Sequence, residues 1–169
     1  MKEVIFIRGS QGAGKTTTSK FLQRELNYPP YIELDWIRGY HLDPQWKNTS
    51  EKEKRMSFEN LLCSVKNYLK NKYSNIILVG LEDAFMNELI KKANLKNYLI
   101  ITLTISNNAE LKSRVLTETR DSGFRGVDES IKLNRKLSQS KLLKNEFRLD
   151  NSHNEPRMTV RLIVDLVTS

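Results

Sequence analysis

The sequence predicts an α/β domain, a three-layer sandwich with a five-stranded parallel sheet between helices. Two observations predict it. Five apolar runs of strand length alternate with longer stretches of helical pattern along the 169 residues, the order that builds a parallel sheet with helical crossovers. The runs are also continuously apolar, as strands buried on both faces are. The length suits a single domain over 1–169.

Each element has a local cause. The first strand is Val4–Ile7, followed by a glycine-rich turn and an amphipathic helix over 15–26. Pro29-Pro30 cannot continue that helix and forces an extended entry into a second strand, Tyr31–Leu34. A helix over 51–72 carries Phe58, Leu61, Leu62, Val65, Tyr68 and Leu69 as one apolar stripe. Ile76–Val79 is the third strand, with a helix over 84–93 behind it, and Tyr98–Ile105 is the fourth. Asn107 followed by Glu110 has the spacing of a capping box and opens a helix over 108–120. A helix over 128–146 leads to the last strand, Phe147–Leu149, and Pro156 suits the first turn of a closing helix over 156–167.

Composition narrows the function classes. Apolar residues make up 38% and charged residues 28%, which reads as soluble and globular. No apolar stretch approaches the roughly 18 residues of a membrane helix, and the opening residues make too short a run for a signal peptide. Cys63 is the only cysteine, so no internal disulfide can form and a cytoplasmic setting is expected. The net charge is +8, and most of the excess falls in 51–75 and 107–148. Such an excess attracts phosphates, anionic substrates or nucleic acid, or simply marks two solvated helix faces.

Residues 9–16 read Gly9-Ser10-Gln11-Gly12-Ala13-Gly14-Lys15-Thr16, a full match to G-x-x-x-x-G-K-[ST] between a strand and a helix. Glycines let backbone N–H groups converge on phosphate oxygens, and the helix N-terminus adds positive potential. The expected nucleotide contacts are Gly9, Gln11, Gly12, Ala13, Gly14, Lys15, Thr16 and Thr17. Lys15 would reach the β- and γ-phosphates, and the Thr16 hydroxyl would face Mg²⁺.

With this loop in place, the layout resembles the small P-loop kinases related to adenylate kinase. Within them it is most similar to the group of polynucleotide 5′-kinases and chloramphenicol phosphotransferase. The resemblance implies a P-loop NTPase fold and transfer of the γ-phosphoryl of ATP·Mg²⁺ to a hydroxyl. The segment Asp35-Trp36-Ile37-Arg38 resembles their D-x-x-R element. That likeness implies Asp35 as general base at the end of the second strand, and Arg38 as a clamp on an anionic part of the acceptor or on the transferred group. Arg120 and Arg125, flanking Gly123 within 114–128, resemble the lid arginines that close over the phosphates. Residues 151–154 resemble the turn that passes the adenine.

There are departures. The triple glycine and paired aspartate of shikimate kinases are missing, and His41 with Asp43, Trp46 and Asn48 only faintly resembles gluconate kinases. An acid at the tip of the third strand is expected to direct magnesium, yet Glu82 and Asp83 come after a Gly-Leu step. The expected partners are therefore ATP and a small hydroxyl-bearing acceptor of nucleoside, sugar or antibiotic type, bound by segment 39–75. Nucleic-acid 5′-hydroxyl ends and a nucleotide-binding regulator without phosphoryl transfer stand as alternatives. No membrane partner is expected.

Overall fold

The computed structural model describes residues 1–117, 125–152 and 155–168. Five strands, β1 (Val4–Gly9), β2 (Tyr31–Glu33), β3 (Ile76–Val79), β4 (Tyr98–Thr104) and β5 (Glu146–Asp150), pair in parallel in the order β2-β3-β1-β4-β5. The described helices are α1 (Lys15–Glu25), α2 (Leu34–Gly39), α3 (Glu51–Lys70), α4 (Asp83–Lys92), α5 (Asn108–Leu116), α6 (Val127–Gln139) and α7 (Pro156–Thr168).

The two-residue period of β1 splits the core into two layers. Val4 and Phe6 pack with Leu34, Ile37, Phe58, Leu61 and Met86, which come from α2, α3 and α4. Ile5 and Ile7 pack with Leu22, Leu111, Val160 and Ile163, which come from α1, α5 and α7. The chain leaves β1 toward one edge of the sheet and later crosses it to reach β4 on the other side. The end of β1 is thus the topological switch point, where open α/β sheets bind ligands.

Three helical expectations need correction. The second strand stops at Glu33, and Leu34 already belongs to α2. Leu34 and Ile37 are both buried, and the i, i+3 spacing of a helical turn buries both at once, so packing overrides the strand pattern. The helix expected over 128–146 ends at Gln139, where Ser140 turns to extended geometry. Glu146 instead enters the sheet, its carboxylate taking the Thr102 hydroxyl and the Leu143 N–H. The helix expected over 108–120 is α5, which stops at Leu116 before an extended Thr117. Its N-terminus is as expected, since the Asn107 side chain accepts the N–H groups of Ala109 and Glu110. Among the described residues no helix is long and apolar enough to cross a membrane.

Phe58 is fully buried on α3 and stacks on Phe85 of α4, with ring centroids 4.8 Å apart. Phe58→Ala should therefore cost about 3–5 kcal/mol of stability. Urea denaturation should show this as a lower midpoint with an unchanged slope.

Candidate active site

The glycine-rich turn between β1 and α1 is shaped by close contacts. A Cβ on Gly9 would stand 2.6 Å from the Leu103 carbonyl oxygen, so only glycine lets the loop leave the sheet beside β4. Gly14 has φ +89 and caps α1; a Cβ there would stand 2.7 Å from Asn151 Nδ2. Asn151 is buried, donates to the Ala13 carbonyl at 2.9 Å and accepts from Thr159 Oγ1 at 2.6 Å. The turn after β5 thus clamps the loop. Lys15 Nζ donates to the Ser10 carbonyl at 2.9 Å and to Gln11 Oε1 at 3.1 Å, which folds the ammonium over the loop. Gly14 has no side chain to cap α1, so that helix end is shaped for an anion.

A cavity of 660 Å³ opens at this edge of the sheet. Gln11, Gly12, Gly14, Lys15, Thr16 and Thr17 line one wall. Gly9 and Ala13 stand behind it; Ala13 is fully buried in the core. Glu33, Asp35 and Gly80 belong to the same lining, as do Arg114, Asn151 and Pro156.

Two acids belong to the lining. Glu33 ends β2, with Oε2 3.5 Å from Thr16 Oγ1, and its other oxygen accepts the Tyr31 hydroxyl. Burial and that carboxylate push the Tyr31 phenol far up, so it stays a donor. Asp35 does not end the strand, as the sequence suggested. It lies in the first turn of α2, with its side chain 64% exposed. The sequence reading missed Glu33 because a paired aspartate was sought; Glu33 and Asp35, two residues apart, make an acid pair all the same.

Behind Asp35 stands Arg38, which spends Nε and Nη2 on the two oxygens of Glu53, both at 2.9 Å. Its Nη1 is 3.8 Å from Asp35 Oδ1, and Trp46 lies against the guanidinium at 4.8 Å. Glu53 is buried and also meets His41 Nε2 at 3.2 Å and the Ser57 hydroxyl at 3.0 Å. The Arg38 guanidinium holds the Glu53 carboxyl down at about 2. The hydrogen bonds that Arg38 donates to Glu53 in turn raise Arg38. Arg38 therefore fastens α2 to α3 and touches the cavity only through Asp35. Glu53 was invisible to sequence reasoning, since it resembles any solvated acid in the first turn of a helix.

The expected lid divides. Arg125 is described and exposed just before α6, whereas Arg120 lies outside the described residues. Arg114, which the sequence reading left to the helix body, lines the cavity and donates to the Ser152 carbonyl at 2.8 Å. At the tip of β3, Asp83 is held 3.0 Å from Arg8 Nη2 and does not line the cavity. Among the described residues, no group of three or more His, Cys, Asp or Glu is placed to hold a metal by itself.

A family model described as an AAA domain matches residues 5–132. No curated protein gives a significant sequence match. Solved structures with similar folds include a sugar kinase from Janibacter sp. HTCC2649, at a TM-score of 0.73 and 13% identity, covering 99% of this chain and 95% of that one. A gluconokinase from Sinorhizobium meliloti 1021 matches at 0.69 and 12% identity, covering 98% and 91%. A shikimate kinase from Bacteroides thetaiotaomicron matches at 0.65 and 20% identity, covering 98% of both chains. At these identities the likeness establishes the shared fold.

The depressed Glu53 carboxyl has a pH consequence. Its folded value of about 2 lies below the ordinary 4.5, so its stabilisation is complete above that ordinary value and is lost as pH falls toward 2. Glu53→Gln should lose about 1.5–3 kcal/mol at pH 7, because Arg38, with its side chain only 16% exposed, loses the charge that answers it. It should also flatten the fall in stability across that acid window. Urea titrations of both proteins at several pH values from 7 to 3 check this.

Proposed function

We propose that this chain, which belongs to the AAA-domain family and has the fold of small P-loop kinases, moves the γ-phosphoryl of ATP to a hydroxyl of a small molecule. One observation carries the reading: Glu33 and Asp35 line the same cavity as Lys15 and Thr16. A nucleotide binder without transfer has use for the loop and for Glu33 beside Thr16, but none for Asp35, a second carboxylate in the same cavity. The kinases of similar fold, described as acting on sugars, gluconate or shikimate, support a small acceptor.

The roles follow from position. Lys15 would exchange its loop partners for β- and γ-phosphate oxygens, and the amides of the glycine-rich turn would hold the remaining charge. The oxygen pair of Thr16 and Glu33, 3.5 Å apart, fits Mg²⁺, which takes one or two protein oxygens along with phosphates and water. When bound, the ion would neutralise charge on the phosphates. Asp35 accepts the acceptor's hydroxyl proton as the new O–P bond forms and the β–γ bridging P–O bond breaks. The electron pair leaves with ADP. In such a loose transition state, orientation by Asp35 outweighs its basicity. Arg38 acts by positioning Asp35. Arg120 and Arg125 serve as the lid within 114–128, with Arg114 at its base, and segment 39–75 forms the acceptor side. A cytoplasmic site of action would supply ATP and keep Cys63 a thiol.

The test is a paired measurement. Asp35→Asn should lower transfer about 10²–10⁴-fold, with little change in ATP affinity. Lys15→Ala should weaken nucleotide binding by about 1.5–3 kcal/mol. A screen of sugars, hydroxy acids, nucleosides, antibiotics and 5′-hydroxyl oligonucleotides with labelled ATP identifies the acceptor. Full transfer by Asp35→Asn would remove Asp35 from the mechanism.

A further inference from the structure

We propose that Arg8 is an anion receptor on the acceptor side of the cavity, so that the acceptor is a hydroxyl compound bearing a carboxylate or phosphate group. The word acceptor rests on the kinase reading above; the anion site itself does not. Ile7 pairs with Val79 across β1 and β3, which puts Arg8, itself outside the cavity lining, level with Gly80, which is part of it. The strand period places Arg8 on the same face as Val4 and Phe6, the face that α2, α3 and α4 cover.

The Arg8 side chain is only 7% exposed. Nη2 meets Asp83 Oδ1 at 3.0 Å, while Nη1 is buried and has no hydrogen-bond partner among the described residues. A guanidinium is always charged, and burying it with a donor unmet costs free energy that an apolar side chain would not. The nearby Arg38 shows the alternative: it gives two nitrogens to Glu53, an acid that is itself buried. Asp83 is unlike Glu53. It is 49% exposed at the start of α4, where solvent can take over its charge.

The surroundings favour an incoming anion. The side chain of Glu82, the residue before α4, does not cap that helix, so its N-terminal potential is directed at the Asp83 position. Beside it, Gly80 has open space where a Cβ would stand. When Asp83 turns to solvent, a carboxylate or phosphate takes its place on Nη2, and a shift of the Arg8 side chain brings Nη1 to the same anion as a fork. Asp83 is then a competitor for Arg8, and the acids around it exclude anions too weak to displace it.

The experiment blocks the phosphate loop with saturating AMPPNP and magnesium and titrates sulfate by calorimetry. Wild type should bind sulfate saturably at one further site. Arg8→Gln should weaken it about 10- to 100-fold, and Arg8→Lys should fall between. Asp83→Asn should tighten it, which a purely structural ion pair would not do and a misfolded variant could not do. Absence of saturable binding in wild type, equal binding by Arg8→Gln, or weaker binding by Asp83→Asn would overturn the anion site. A second arm offers labelled ATP with gluconate and with its neutral counterpart glucitol. Preference for gluconate that disappears in Arg8→Gln supports the inference, and equal labelling of the two overturns it while leaving the kinase reading intact. Labelling of no compound at all across the full acceptor screen, with the sulfate titrations as expected, overturns the kinase reading and leaves the anion site standing.

Discussion

The close approach of the glycine-rich turn to its neighbours is the constraint on which the rest depends. The turn passes so near β4 that Gly9 has no room for a Cβ, and so near Asn151 that Gly14 has none either. Asn151 is held in place by Thr159 of α7 and grips the Ala13 carbonyl. Elements far apart in sequence thus converge on six residues of backbone. The amides of such a loop are preorganised, because the protein has already met the conformational cost of aiming them. The order β2-β3-β1-β4-β5 serves this constraint: with β1 central, the loop has a strand on either side and the β5–α7 turn within reach.

The acids opposite the loop are placed by a second chain of contacts. Tyr31 holds Glu33, Arg38 reaches Asp35, and buried Glu53 fixes Arg38. Two side chains of α2, Asp35 and Arg38, are thereby referred to one carboxylate on α3. A buried pair of this kind adds little stability over an apolar replacement, but breaking it leaves a charge without a partner. Its use here is geometric: α2 is only six residues long, too short to be stable alone, and the Arg38–Glu53 pair anchors it.

Much of this was legible in the residues. The phosphate loop, the parallel sheet and the strand centres follow from local pattern, because burial on both faces leaves a continuous apolar signature. The boundaries that failed were decided by tertiary packing. Leu34 read as strand because it continues an apolar run, yet with Ile37 it buries as a helical pair. Glu146 read as helix because an acid among lysines looks solvated, yet its carboxylate is satisfied by Thr102 and the Leu143 amide inside the sheet. Glu53 was missed for the same reason. A buried acid has no sequence signature of its own; the partner that admits it to the interior is known only once the fold is known.

The distribution of charge bears on the acceptor. The two lysine-rich segments looked alike in sequence. On α3, the cations near the acceptor side are largely answered: Lys54 pairs with Glu51, and Arg55 with Glu59 and Glu88. Lys66 and Lys70 lie toward the far end of α3, which runs down to the edge where Asn75 meets Lys2. From α6 to β5 the balance differs. Past the acidic first turn of α6, where Asp128 and Glu129 stand, Lys132, Arg135, Lys136, Lys141 and Lys144 are exposed, and Glu146, the acid that follows them, is buried. This excess positive charge lies by β5, at the opposite edge of the sheet from β2, and among the described residues no cation of α6 or β5 joins the cavity lining to make a basic track beside Asp35. Strand ends of nucleic acid need such a track to neutralise successive phosphates. A compact acceptor needs only one well-placed cation, and the arrangement of Arg8 beside the cavity is of that kind.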